Sequence, residues 1–408
     1  MRITMVVAPF LLMLQLLLPL VWLHMAALPT LGIGVNYGMK GNDLPPPAQV
    51  MELLKKTSID SVKLYNADAE VLSALANTGI SVVVGVENEL LLPLARSSRA
   101  AQIWVKQHIL PYYPSTSICA IAVGNEVLTM PDRILVRKRR GSRPINQWGL
   151  LLPAMKNLHQ ALYSLLGPAS ADSIKISTPS SMAILSSSSP PSSAAFKPPL
   201  LPYIKDLLQF LSQTNSPLMI NIYPYFAYAA DPSGVPLDFA LFESAHGVRD
   251  PASGLVYGSL FDAQLDAIYY AMMKAVGTGS AKDDRLPTVI VSETGWPSKG
   301  DSDETGANPQ NAETYNGNLV KRVGSRAGTP LLPDKPPARA YIFALFNENE
   351  KMGPESERNF GLYRPDMGAV YDAGLGTSST TKEPPSAFSG GGAGFSGVWC
   401  VAGPGASE

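Results

Sequence analysis

Ser81-Val-Val-Val-Gly-Val86 and, further along, Cys119-Ala-Ile-Ala-Val123 decide the fold. Neither run alternates apolar with polar residues, as a strand with one wet face would. Continuous runs of this kind belong to parallel strands covered on both faces. Similar runs stand at residues 33–36, 61–65, 174–177, 218–222, 288–292 and 340–346, making eight in all, with helix-period segments between them. In the second connection Asp68 can cap a helix that carries Val71, Leu72 and Leu75 on one face and stops at Gly79. Pro153 can start a helix with Leu158, Leu162 and Leu165 aligned and Gly167 at its end, and Leu265, Ile268 and Met272 form a later stripe. Eight strand–helix units predict an α/β fold of the (β/α)8 TIM-barrel class.

In such a barrel the working residues follow the C-terminal ends of the strands. The polar residues obey this rule. Asn36 and Tyr37 follow the first strand, Tyr65 ends the second, Glu126 follows the fourth, Tyr223 the sixth, Glu293 the seventh, and Asn347 and Glu348 the eighth. Two of these are carboxylates that surface from apolar runs, in Val-Gly-Asn-Glu126 and Val-Ser-Glu293-Thr-Gly-Trp-Pro-Ser. Hydrolysis of a glycosidic bond needs such a pair, one group to protonate the leaving oxygen and one to attack the sugar carbon. An acid after a strand is often only a helix cap or a surface charge. Two at corresponding positions favour catalysis.

The 408 residues are 46% hydrophobic and 16% charged, with a formal net charge of -1, so the chain can bury a large core. A near-neutral balance gives no basic face for nucleic acid. The N-terminus, with an apolar stretch from Met5 to Leu23 and small residues at Ala26 and Ala27, predicts a secretory signal peptide over 1–27; an uncleaved anchor is its rival. No second run of spanning length follows, so no membrane partner is expected after cleavage. Cys119 and Cys400 are the only cysteines and are not expected to pair with each other. The four histidines show no metal-ligand spacing, so neither metal nor cofactor is expected.

Three stretches read as loops. Residues 186–199, rich in Ser and Pro, suggest a surface crossing without core residues. The basic run Arg133, Arg137, Lys138, Arg139, Arg140 and Arg143 suggests a solvated insertion, and residues 374–408 a disordered tail.

Taken in order, Gly34-Val-Asn-Tyr-Gly38, Val62-Lys-Leu-Tyr65, Ala122-Val-Gly-Asn-Glu126, Ile220-Asn-Ile-Tyr-Pro-Tyr225, Val291-Ser-Glu-Thr-Gly-Trp-Pro-Ser298, Phe346-Asn-Glu-Asn and Ser356-Glu-Arg-Asn-Phe-Gly361 resemble the plant β-1,3-glucanases of glycoside hydrolase family 17. The resemblance runs through nearly the whole mature chain and implies a barrel over 32–373 acting as a retaining endo-hydrolase on callose or fungal-wall glucan. It implies Glu126 as acid/base and Glu293 as nucleophile. It places Glu348, Lys351 and Glu357 in a polar cluster beside the nucleophile, and Tyr37, Tyr65, Tyr223 and Trp296 along the substrate cleft. Asn125 is expected to hydrogen-bond the sugar 2-hydroxyl, and Lys351 to keep Glu293 charged. Retention requires the two carboxyls roughly 5 to 5.5 Å apart. Glu126 must hold a proton through burial or the nearby negative charge, while Glu293 stays ionised.

Two departures stand out. Residues 134–149 are longer and more basic than the resemblance leads one to expect. Val398-Trp-Cys-Val-Ala402 looks like the opening of a carbohydrate-binding module that is cut short. The expected product is a monomer secreted to the extracellular space or cell wall, with β-1,3-glucan as its partner. The rivals are a glucan-binding barrel without turnover and a transglycosylase in which a sugar replaces water.

Overall fold

The computed structural model describes residues 32–376 except 131–132, 135–144, 326 and 336–338. The expected signal segment, most of the basic run and the tail from residue 377 lie outside the described residues.

Nine strands form one parallel sheet: β1 (Ile33–Asn36), β2 (Ser61–Lys63), β3 (Ser81–Val86), β4 (Ser117–Val123), β5 (Lys175–Ser177), β6 (Pro179–Ser181), β7 (Leu218–Asn221), β8 (Val289–Thr294) and β9 (Ala340–Ile342). All eight predicted strands are present. The ninth arises because the fifth continues past Thr178: β5 pairs with β4 and β6 pairs with β7. The two ends of the sheet order, β5 and β6, are therefore one stretch of chain, and β1 joins β2 to β9 on the far side. This is a (β/α)8 barrel with its edges removed by near closure.

Residues facing the helices and residues facing the barrel axis form separate clusters. Val83, Ala120, Ala122, Met219, Ile290 and Tyr341 fill the axis, and the larger set, including Val62, Val84, Ile121 and Val291, packs under the helices. The sequence reads as uniformly apolar because both sides are buried. Helix Ala69–Ala74 is capped as its sequence requires, with the Asp68 carboxylate accepting from the Glu70 and Val71 amides, and Val71, Leu72 and Leu75 are buried.

Three expectations are corrected. Helix Trp148–Leu166 begins five residues before Pro153 and carries the proline inside its second turn. The Ser/Pro-rich crossing is not free of core: Ala194 and Phe196 are buried, and a two-strand ladder joins Leu185–Ser187 to Ala195–Phe196. The Ser192 amide and hydroxyl both donate to Asp250 at 2.7 Å, tying the segment down. Cys119 is disulfide-bonded, against the expectation that it and Cys400, the other cysteine of the sequence, do not pair; Cys400 lies outside the described residues.

Candidate active site

The C-terminal ends of the strands open onto a cavity of about 520 Å³. Of the ten expected site residues, Tyr37, Tyr65, Asn125, Glu126, Tyr223, Glu293, Glu348, Lys351 and Glu357 line it. Trp296 does not. Its indole is fully buried (0% exposed), donates from Nε1 to the Gly306 carbonyl at 2.8 Å and packs against Tyr225, Tyr228 and Tyr315. The expectation that it stacks on sugar is thus corrected, because the loop through Gly306 encloses it. The aromatic wall consists instead of Tyr223, Phe226, Phe343 and Phe360, with Phe226 43% exposed.

Glu293 reaches the cavity through a local irregularity of β8. In the pairing with β7, Ile220 lies opposite Val291 but Asn221 lies opposite Glu293, so Ser292 is an extra residue. A bulge of this kind re-aims the side chains that follow it. Ser292 donates inward to Asn221 Oδ1 at 2.7 Å, Glu293 also points inward, and Thr294 turns outward to the Tyr315 hydroxyl on helix Pro309–Gly324. Strict alternation would have aimed Glu293 away from the axis.

The Glu293 carboxylate is 6% exposed and holds three donors. Lys63 Nζ lies 2.9 Å and the Tyr65 hydroxyl 2.8 Å from Oε1, and the Tyr223 hydroxyl lies 2.9 Å from Oε2. Burial by itself would push this carboxyl up. The Lys63 charge and the three hydrogen bonds outweigh it and hold Glu293 below the usual carboxylate range. Both tyrosines are pushed well above their ordinary range, first by burial and then by the Glu293 charge, so they stay protonated donors.

Glu126 has the opposite balance. It follows β4 in a left-handed conformation (φ 54°), which is sparsely populated for a residue other than glycine and carries strain of about 1–3 kcal/mol. Its amide donates to the Pro179 carbonyl at 2.9 Å, which fixes this turn against β6. Burial raises its carboxyl, a hydrogen bond from Asn221 Nδ2 at 2.8 Å opposes the rise, and the Glu293 charge adds to it; the net shift is upward. Asn221 therefore bridges the two halves of the site, touching Glu126 from its amide and standing in register with Glu293.

Lys63 escaped the sequence reading, which gave its role to Lys351. Lys351 stands instead 3.7 Å from Glu348 and 3.9 Å from Glu357, over the Phe343 ring. Glu357 is raised by burial, with Lys351 opposing. Glu348 Oε1 accepts from the Lys40 amide at 2.7 Å, and a Cβ on Gly38 would fall 2.4 Å from that same oxygen, so a side chain there would displace the Glu348 carboxylate. The one available signal for Lys63 was a lysine in a strand whose other positions are buried. Asn125 lines the cavity, and its Oδ1 is buried with no hydrogen-bond partner among the described residues.

A barrel mouth that holds one carboxyl ionised and another raised, beside an aromatic wall, defines a site of glycoside-hydrolase type. Residues 33–374 match the glycosyl hydrolases family 17, and the chain belongs to that family. It is 44% identical over 376 residues to glucan endo-1,3-beta-glucosidase 7 of Arabidopsis thaliana, covering 92% of this chain and 69% of the relative. With glucan endo-1,3-beta-glucosidase 11 of the same plant it shares 43% over 370 residues, 90% and 81% of the two chains. The solved structure of a β-1,3-glucanase and pollen allergen of Cryptomeria japonica superposes with a TM-score of 0.75 at 42% identity, over 85% of this chain and 99% of that one. A plant β-glucan endohydrolase superposes at 0.70 with 40% identity, over 83% and 99%.

Proposed function

We propose that this glycoside hydrolase cleaves (1→3)-β-D-glucosidic linkages inside glucan chains such as callose or fungal-wall glucan, with retention of configuration. The observation that carries the mechanism is that Glu126 and Glu293 share one cavity with surroundings that shift their carboxyls in opposite directions; the linkage rests on the names of the plant relatives. Glu293 attacks the anomeric carbon while Glu126 gives its proton to the departing glycosidic oxygen. Water then attacks the same carbon, its proton passes to Glu126, and the bond to Glu293 breaks. Glu126 is suited to this cycle because Asn221 stabilises the ionised form that exists between the two steps. Phe226, 43% exposed, offers a face for a sugar ring beside the half-buried Tyr223, and Asn125 on the cavity wall meets a sugar hydroxyl. The residues used supply acid, base and nucleophile without a metal or cofactor.

We place the protein in the extracellular space or cell wall after removal of residues 1–27, acting as a monomer. Among the described residues no helix is long and apolar enough to cross a membrane.

The test is incubation of the purified mature protein with laminarin, following reducing ends and product sizes. Internal cleavage gives short β-configured oligosaccharides early. Binding without product would replace this reading with a glucan-binding barrel, and products longer than an oligosaccharide substrate would replace it with a transglycosylase.

A further inference from the structure

Lys63 is 1% exposed, and its ammonium has a carboxylate oxygen of Glu293 at 2.9 Å and the Tyr65 ring at 4.2 Å from Nζ to centroid. A lysine in the barrel axis is costly to bury and persists only where a partner compensates it. We propose that Lys63 is a positioning residue for the second half of the reaction, stabilising the Glu293 carboxylate as it leaves the sugar. This rests on the double-displacement reading given above.

The two half-reactions load Lys63 differently. In the first, Glu293 starts fully negative and loses charge as its bond to the anomeric carbon forms, so a nearby cation favours the starting state. In the second, Glu293 starts as a neutral ester. Water oxygen bonds to the anomeric carbon, the carbon–Oε bond breaks with its electron pair returning to Glu293, and the water proton goes to Glu126. Negative charge then grows beside a cation already in place, at a largely buried carboxylate, where such charge stabilisation is strong. Lys63 therefore favours departure of the nucleophile, and Glu126 with Asn221 handles the proton.

Other charged or titratable groups share the cavity with Glu293. Tyr65 after β2 and Tyr223 after β7 donate hydrogen bonds; Glu126 after β4 repels it; Tyr37 and Lys40 after β1, Glu87 after β3, and Glu348, Lys351 and Glu357 after β9 line the same cavity. Lys351 is engaged by Glu348 and Glu357, so removal of Lys63 leaves Glu293 without a cation of its own.

The test compares wild type, Lys63→Met and Lys63→Arg on an aryl β-laminaribioside with a good leaving group. For Lys63→Met the acid limb of kcat/KM should move up by about 1–3 pH units. At pH values above that limb kcat should fall about 100-fold, with kcat/KM falling much less. The released phenol should show a burst equal to the enzyme concentration as the glycosyl-enzyme accumulates. Lys63→Arg should recover part of kcat and remove the burst. If Lys63→Met does not fold, Tyr65→Phe, which removes one donor and keeps the charge, should shift the acid limb in the same direction by less. Equal losses in kcat and kcat/KM with no burst, or an unmoved acid limb in the folded variant, would overturn the inference. An inactive wild type would instead overturn the hydrolase reading.

Discussion

Glu293 at the barrel mouth and Asp266 on the outer helix Leu260–Val276 are both carboxyls cut off from water, yet their surroundings drive them in opposite directions. Glu293 has a lysine and two tyrosine hydroxyls and is held low. Asp266 accepts from the Leu331 amide at 2.9 Å through Oδ2 and has the Thr329 and Tyr257 hydroxyls beside it, all neutral donors; burial outweighs them and pushes it up to about 7. One helical turn earlier in the chain Asp262 is engaged instead, by the Arg322 guanidinium at 2.9 and 3.0 Å. Burial sets the cost of a charge, and the presence of a cation decides whether the protein bears it.

The largest consequence is at Glu293. Glu293→Ala should lower kcat on laminarin by more than about 10⁴-fold, since loss of a nucleophile removes the covalent route. The folded protein should still bind glucan in a pull-down. If Glu293→Ala keeps a tenth of wild-type turnover, the contrast between a functional and a structural buried carboxyl fails. Glu126→Gln should cost about 10²–10⁴-fold on laminarin. Its loss in kcat/KM should be much smaller on aryl glycosides, whose leaving group needs no proton, while kcat still falls because the second step lacks its base.

The pH profile sharpens the same contrast. Glu293 is active when ionised and is held low, so kcat/KM should rise at acid pH through its lowered value. Glu126 is active in the first step when protonated and is raised, so the profile should fall again on its basic side above the usual carboxylate range. An activity that climbs steadily to alkaline pH would contradict these assignments.

Asp266 should act on stability rather than rate. Its native value of about 7 lies above its ordinary 3.8, so between those values the folded state binds more protons than the unfolded one. Stability contributed by the protonated acid is full below about pH 3.8 and is lost as pH rises through about 7, by up to roughly 4 kcal/mol. Asp266→Asn should flatten the pH dependence of Tm across that window and leave kcat unchanged. The same slope in variant and wild type would remove Asp266 from the account.

The smallest contrast sets Trp296 against Phe226. Trp296→Ala should destabilise by about 3–5 kcal/mol, because a fully buried indole is removed. Phe226→Ala should leave Tm nearly unchanged and raise KM by about 2- to 12-fold, the worth of one aromatic contact. Thermal melts and laminarin kinetics on both variants distinguish the two roles.

The barrel was legible because burial on both faces writes itself as uninterrupted apolar runs, and the strand-end rule then placed Tyr37, Tyr65, Glu126, Tyr223, Glu293 and Glu348 around one cavity, while Asn125, Lys351 and Glu357 came with the family resemblance. What escaped depended on how strands depart from regularity. The inward aim of Glu293 depends on the bulge at Ser292, which leaves no mark in residue type. Trp296 shares the motif of Glu293, but whether a loop covers it is decided by Gly306, ten residues on. Lys63 was passed over because a lone lysine in a strand does not announce which carboxylate across the barrel will hold it, 230 positions away.

The most direct test of the central claim is to trap the intermediate. The protein is incubated with a 2-deoxy-2-fluoro β-laminaribioside bearing a good leaving group, and its proteolytic peptides are mapped by mass spectrometry. The account predicts one sugar esterified to Glu293, released on addition of an acceptor with recovery of activity. A label on any other carboxyl, or a first product of α configuration with no trapped ester, would contradict it.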